Sequence, residues 1–406
     1  MRTYREVFAI REFRALFIVR CLGMAAISIA SLALGTTTYA STGSPILTSI
    51  AMFGGPLLTL IGSATVLAAS DSMGPRLASM IMPLAYTVAF VLQAIPGLPW
   101  GWRFVFIAIP YLAGSATSGS TMRLLHEIVP PGGFVLGRAT LNISVGVIQI
   151  AGYGFGGLLL VWWSPATLFL IAAGLSFASV VLTRVGIRER EGVPSDEGLV
   201  SRTKTVNRVL LGSRLTRPLY LAMWVPNGLI VGCEALFVPF GGHSGAGYLF
   251  ALAAAGMLLG DVVVGRFIPP ERRDKLIEPL RFLLAIPYLG FAFSPNLGVA
   301  LVLTFVASVG YAAALPLQER LVGASQPEYR GQAFGLYGTG LMIGQAVGAA
   351  VGGGLASWLG AAHAMGVLAV VSLVISAALI SGVRRSAQVT PSANLAHPDL
   401  EVQAQP

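Results

Sequence analysis

Charge is what this sequence has least of. Only 11% of its 406 residues are Asp, Glu, Lys or Arg, while 55% are hydrophobic. That balance excludes a water-soluble globule, whose surface needs charged side chains over roughly a quarter of the chain. Cysteine is almost absent: Cys21 and Cys233 both lie inside apolar runs, so neither a disulfide framework nor a cysteine metal cluster is available. The histidines His126, His243 and His363 sit near the ends of such runs and His397 in a polar tail, with no cysteine and carboxylate grouped beside them. That disfavours a membrane-embedded enzyme or a metal site, and no metal or cofactor is expected. A phosphate loop ending in Gly-Lys-Ser/Thr is also missing, which argues against an ATP-driven pump.

What is present is long apolar runs, most of them about 20 residues or more, the length that crosses roughly 30 Å of hydrocarbon. Backbone amides in lipid must be satisfied within the segment or in a closed barrel, and unbroken runs of this length favour helices over alternating barrel strands. Twelve spans are read at about 15–39, 46–69, 76–96, 101–125, 139–163, 165–185, 217–240, 245–267, 276–294, 297–321, 331–357 and 361–383, numbered one to twelve below. Breaks fall at Gly43-Ser-Pro45, Pro96-Gly-Leu-Pro99, Pro130-Pro131 and Pro269-Pro270.

The arginines set the orientation. With the N-terminus inside, the inner segments hold Arg76, Arg123, Arg138, a dense set from Arg184 to Arg217, then Arg266, Arg272, Arg273, Lys275, Arg320, Arg330, Arg384 and Arg385; the short outer loops hold only Arg103. A multi-pass protein of the cell inner (plasma) membrane with both termini cytoplasmic is expected. The net charge of +9 therefore reads as topology and attraction to anionic lipid, not as nucleic-acid binding. The chain divides into a six-helix bundle at 1–185, a linker at 186–216, a second bundle at 217–384 and a polar, disordered tail at 385–406. The stretch Val206 to Leu215 could form a short interfacial helix. An internal repeat supports two halves: Gly137-Arg-Ala139 answers Gly331-Gln-Ala333, and at the same offset Gly146 answers Gly340 and Gly154 answers Gly348.

Charges inside spans are costly and are functional suspects. Two carboxylates lie well inside a span, Glu234 in span seven and Asp261 in span eight. Glu234 is about 16 residues from the inner end, near or just beyond the midplane. Both are proton-coupling candidates, Asp261 being also a candidate for an ion pair with another inner residue. Arg20, in span one, suits a gating or substrate-anion role or simple snorkelling. Trp224-Val-Pro-Asn-Gly228 predicts a bend in span seven, since Pro226 removes a backbone donor and Gly228 permits it.

The turn Asp71-Ser-Met-Gly-Pro-Arg76 resembles the signature of the major facilitator superfamily between spans two and three. Asp71, Gly74 and Arg76 match it, whereas Leu67 and Ser72 replace a glycine and a basic residue. Gly152-Tyr-Gly-Phe-Gly-Gly157 is similar to the family's antiporter motif, with Tyr153 where proline is usual. Pro327-Glu-Tyr-Arg-Gly-Gln-Ala-Phe-Gly-Leu336 and Phe13-Arg-Ala-Leu-Phe17 look like segments of actinobacterial members. The resemblance covers essentially the whole chain. It implies an all-α fold of about twelve transmembrane helices in two pseudo-symmetric halves, the major facilitator fold. Asp71, Gly74, Arg76 and Arg20 become gating candidates. Gly152, Gly156, Gly157, Gly340, Gly344 and Gly348 become helix-packing residues. Spans one, four, seven and ten line the family's cavity, which makes Tyr111, Trp224, Asn227 and Tyr311 candidate substrate contacts. Span four lacks the mid-membrane arginine of many proton-coupled members.

The expected function is export of a small drug-like or secondary-metabolite molecule by proton antiport and alternating access, by a monomer whose partners are the substrate, protons and the lipid bilayer. An uptake permease for a small nutrient and a lipid flippase remain as alternatives. Reporter fusions at about residue 200 and about residue 395 should both read cytoplasmic if the arginine pattern sets topology; an external signal from either would overturn the span assignment.

Overall fold

A computed structural model describes residues 4–59, 74–116, 124–130, 134–190, 197–326 and 329–387. Among them the only regular structure is helix, as a hydrocarbon environment requires of anything but a closed barrel. Nine of the helices are long and apolar enough to span a membrane: Arg11–Thr42, Pro75–Gln93, Pro165–Gly186, Thr216–Gly242, Ser244–Phe267, Asp274–Phe293, Leu297–Ala324, Gln332–Leu359 and Ala361–Ala378. The runs read as spans two, four and five are helical over Pro45–Phe53, Trp100–Ala116 and Phe134–Trp162. Asp71 lies outside the described residues.

The breaks follow from local chemistry. Gly43 ends span one in the left-handed conformation (φ 62°), its N–H bonded to the Tyr39 carbonyl at 2.8 Å. Ser44 then caps span two through its hydroxyl, which accepts from the Leu47 N–H at 3.3 Å, and Pro45 opens the helix. Gly242 (φ 64°) reverses the chain between spans seven and eight within a residue or two. Arg103, the lone basic residue of the loops read from the sequence as outer, is a staple: its guanidinium donates to the Gln93 carbonyl at 3.0 Å and the Leu98 carbonyl at 3.3 Å, while the Gln93 amide donates to the Arg103 carbonyl at 2.7 Å. Buried at 6% accessibility, it closes the turn between spans three and four.

The face that carries most of the arginines, called the basic face below, is tied within each half. Arg190 bonds Glu12 at 2.5 Å and Glu127 at 3.2 Å, Arg188 reaches Glu12 at 3.4 Å, and Arg76 pairs with Glu189. In the second half Arg273 pairs with Glu319 at 2.7 Å, Arg384 with Glu278 at 3.1 Å, and Arg320 with Asp274. Between the halves runs a helix from Glu197 to Gly212, which contains most of the stretch read as a short interfacial helix. It buries Val206 and Leu210 against the second bundle, and the Gln332 amide donates to Asn207 at 2.8 Å.

Glycines set how closely the spans approach. In span five, Gly152 lies against Ser28 of span one and Gly156 against Ile29 and Leu32. In span eleven, Gly348 lies on the Gly228 backbone and Gly352 on the Gly232 backbone of span seven. The same two helices also carry the contacts between halves: Gly157 meets the Gly247 backbone of span eight, and Gly353 meets Ile46 and Ser49 of span two. Equivalent contacts are therefore Gly152 with Gly348, Gly156 with Gly352 and Gly157 with Gly353, all 196 apart (348−152, 352−156, 353−157). The sequence repeat at an offset of 194 (331−137, 340−146) slips by two here, and Gly154, which it pairs with Gly348, faces Ala254 of the other half. Positional identity in glycine-rich helices is cheap; packing direction fixes the register.

A methyl added at Gly348 would overlap the Gly228 carbonyl, whereas one at Gly338 meets nothing within 4 Å. Gly348→Ala should lower the melting temperature of the purified protein, overpacking costing about 1–3 kcal/mol. Gly338→Ala should raise it slightly, since alanine is favoured over glycine in a helix by about 1 kcal/mol. Thermal unfolding in detergent reads both signs.

Candidate transport site

Span seven is continuous through Pro226 and breaks later. The α-helix runs Thr216–Glu234, is interrupted by a turn at Ala235–Leu236, where Leu236 (φ −92°, ψ 1°) leaves helical geometry, and resumes at Phe237. Helix is unbroken through Pro226–Gly228, and its interruption begins nine residues beyond Pro226, directly after the buried carboxylate (235−226). Pro226 is accommodated because Gly228 and Gly232 let span eleven press against this face, and the Ser372 hydroxyl donates to the Pro226 carbonyl at 3.5 Å.

Glu234 retains 6% of its surface. The Tyr311 hydroxyl donates to its Oε1 at 2.9 Å. Tyr311 stands in a 3-10 turn, Gly310–Ala313, in the middle of span ten. Tyr288 stands in a second 3-10 stretch, Ile286–Phe293, in span nine, fully buried and within electrostatic reach of Glu234 and Tyr311. Three spans are thus irregular at the level of one carboxylate. Such backbone is tolerated at membrane depth only where it faces protein or a water-filled cavity.

The first half contains the same cage without the acid. Tyr86, Phe90 and Tyr111 line a small cavity together with Leu34, Ile27, Ala30 and Ser31. Leu34 and Glu234 are 200 residues apart, as are Tyr111 and Tyr311 (234−34, 311−111), while Tyr86 and Tyr288 are separated by 202 (288−86). Tyr86 stacks on Phe90 at 5.3 Å and 27°, and Tyr288 on Phe291 at 5.4 Å and 26°. The partner is four residues on in the first case and three in the second, because span three is α-helical there and span nine is 3-10, where residues three apart eclipse. One cage built twice holds leucine in one half and glutamate in the other.

Tyr153 joins the two. Standing where proline is usual in the antiporter motif, it stacks on Phe250 of span eight at 5.7 Å, meets Phe53 of span two at 5.8 Å and hydrogen-bonds with Ser31 and Gln149, within electrostatic reach of Glu234. Of the other expected cavity residues, Trp224 donates from Nε1 to the Tyr337 carbonyl at 3.0 Å, and Asn227 accepts from the Gln345 amide at 3.2 Å. Both face span eleven, where Gly340 and Gly344 pack on Trp224. Tyr111 meets Tyr86 edge-on at 5.6 Å. Arg20 is exposed and Asp261 partly so, and neither is ion-paired with a described residue. Arg76 turns to Glu189, and Gly74 approaches the Arg190 carbonyl, both contacts joining the first bundle to the start of the linker. Tyr288, Tyr86, Phe250 and Gly247 were not singled out from the sequence. The near-constant offset between tyrosine pairs was the signal that could have found the first two.

Residues 241–401 match the model of the Major Facilitator Superfamily. The chain is 25% identical over 320 residues to the multidrug efflux pump Tap of Mycolicibacterium fortuitum, covering 73% of this chain and 77% of that protein. It is 25% identical over 267 residues to the uncharacterised MFS-type transporter YfiS of Bacillus subtilis (strain 168), covering 58% and 60%. Its fold matches a POT family transporter solved with a thioalcohol-conjugated peptide (TM-score 0.67, 13% identity, 93% of this chain and 96% of that one). It also matches a bacterial homologue of the human lysosomal transporter Spinster in an inward-facing, occupied conformation (TM-score 0.65, 15% identity, 95% and 98%). The described helices share the fold of these membrane transporters, and the likeness to the Major Facilitator Superfamily model lies in residues 241–401.

The glycines of span five separate two roles. Gly157→Leu would push on the Gly247 backbone across the halves and should abolish transport while the protein folds and purifies normally. Gly152→Leu would push span five off span one within its own bundle and should lower the yield of folded protein. Size-exclusion profiles and flux measured on the same two preparations check the contrast.

Proposed function

We propose that this transporter exports a small drug-like or secondary-metabolite molecule in exchange for protons, with Glu234 as the proton-carrying group. The observation that carries the reading is the asymmetry of the duplicated cage. Packing alone is satisfied by Leu34 in the first half, so the carboxyl of Glu234 serves something other than packing. An acid at this depth is costly to keep ionised and is a functional residue by default. Tyr311 holds it in one orientation, and the helix break beside it provides backbone that can rearrange. The similarity to a multidrug efflux pump supports export.

Alternating access supplies the cycle. The halves touch through Gly157, Gly154 and Gly353, all in the parts of spans five and eleven farther from the basic face. Val147, one heptad nearer the basic face than Gly154, is 51% exposed. That pattern fits a molecule closed at the far face and open at the basic one, ready to load substrate from the cytoplasm. Rocking the halves about the glycine contacts would close the basic side and hydrate Glu234 from the other. Proton uptake and release at Glu234 then bias the two states, which is the differential interaction that any such shift requires.

Glu234→Gln keeps size and hydrogen bonding but forbids proton exchange. In liposomes with an imposed pH gradient, gradient-driven efflux of ethidium should fall at least tenfold, while binding of a neutral substrate survives. Full gradient-driven flux by Glu234→Gln would rule out the coupling role.

A further inference from the structure

Two opposite charges that the coupling scheme does not use, Arg20 and Asp261, stand on helix stripes that carry contacts between the halves. Arg20 stands on the face of span one that also carries Ile27, Ser31 and Leu34, spaced by seven, four and three residues (27−20, 31−27, 34−31). That spacing places all four on one helical stripe. Ser31 on this stripe bonds Tyr153 at the meeting of the halves, and Ile27, Ser31 and Leu34 line the small cavity beside Tyr111. Asp261 stands on the face of span eight that carries Gly247 and Ala254, each seven residues apart (254−247, 261−254), and those two residues touch span five of the other half.

The two charges lie at the same depth. Span one runs parallel to span five with Ser28 against Gly152, so Arg20 is level with residue 144 (152−28+20). Span eight runs antiparallel with Ala254 against Gly154, so Asp261 is level with residue 147 (154+254−261). Three residues of helix correspond to about 4.5 Å. Arg20 is exposed and Asp261 partly exposed, and neither forms an ion pair with any described residue. The polar neighbour in the field of Asp261 is Tyr337 of span eleven, whose hydroxyl accepts from the Gln318 amide at 3.2 Å.

We infer that Arg20 and Asp261 form a cross-bundle ion pair that closes the basic mouth of the transporter. With that mouth open, water solvates both groups. Closing it removes the water, and two isolated ions would each carry a large desolvation penalty. Opposite charges at one depth on approaching faces offset that penalty by pairing, and a guanidinium–carboxylate pair can do so with two hydrogen bonds. The charges are thereby gatekeepers of the closed-mouth state, distinct from the proton carrier. This inference rests on the alternating-access reading above but does not need Glu234 to carry protons.

Two measurements test it. In a Cys21→Ser, Cys233→Ser background with a protease site inserted in the linker at 191–196, the pair Arg20→Cys and Asp261→Cys should be joined by a short bifunctional thiol reagent, keeping the halves together on a denaturing gel after proteolysis. Failure to cross-link, while the control pair Tyr153→Cys and Phe250→Cys does so, would overturn the pairing whatever is transported; those rings lie 5.7 Å apart. For flux, Arg20→Asp and Asp261→Arg should each cut ethidium efflux at least tenfold, and the double exchange should restore at least a third of it. Wild-type flux in either single variant, or a double variant as inactive as the singles at equal expression, would refute the gate. Loss of coupling in Glu234→Gln leaves the cross-link unchanged, so the two readings fail separately.

Discussion

A backbone amide in hydrocarbon has no water to fall back on, and among the described residues helix meets that constraint along nearly every span. Besides a π-helical end to span eight at Val263–Phe267, the departures from α-helix inside spans gather around one carboxylate. The α-helix of span seven is interrupted by a turn at Ala235–Leu236, and spans nine and ten tighten to 3-10 geometry at Ile286–Phe293 and Gly310–Ala313. Each irregularity presents a polar side chain to the same interior: Glu234, Tyr288 and Tyr311. The second bundle gives up regular hydrogen bonding where it holds an acid, and the first bundle, with Leu34 in that position, keeps spans one and three α-helical through Leu34 and Tyr86. Irregular backbone and the acid occur together in the second bundle.

Glycine distributes stiffness in the opposite sense. Where Gly228 and Gly232 meet Gly348 and Gly352, two helices touch backbone to backbone over two turns. Across the halves the contact is narrower, Gly157 on Gly247 and Gly353 on Ile46 and Ser49, with aromatic stacking of Tyr153 on Phe250 beside it. Flat aromatic faces and bare backbone have no side-chain knobs to interlock, so the halves can slide there without unpacking either one.

Much of the architecture was legible in the sequence because its signals are local. Apolar run length, the Gly43-Ser-Pro45 stop and start, and the isolation of Glu234 among apolar residues each need only neighbouring letters. What was not legible depends on partners distant in the chain. Pro226 looked like the breakpoint of span seven, yet the glycine contacts with span eleven hold that stretch helical and the break falls after Glu234. The cage was hard to see because its tyrosine pairs are offset by 200 and 202 residues and its phenylalanine pair by 201 (291−90), so no single offset aligns all three rings at once. The repeat register slipped by two for the same kind of reason, since a glycine has no side chain to show which way it faces.

The connection between the halves has a mechanical consequence. On one side, Arg190 is fastened to Glu12 and Glu127 of the first bundle; on the other, the helix from Glu197 to Gly212 is docked on the second by Val206, Leu210 and Asn207. Six residues, 191–196, are left to span the distance between those anchorages. Fully extended, six residues reach about 20 Å. However those six residues are arranged, covalent reach alone caps how far the basic-face ends of the two bundles can part, so the length of this short connection is a ceiling on the width of any opening there.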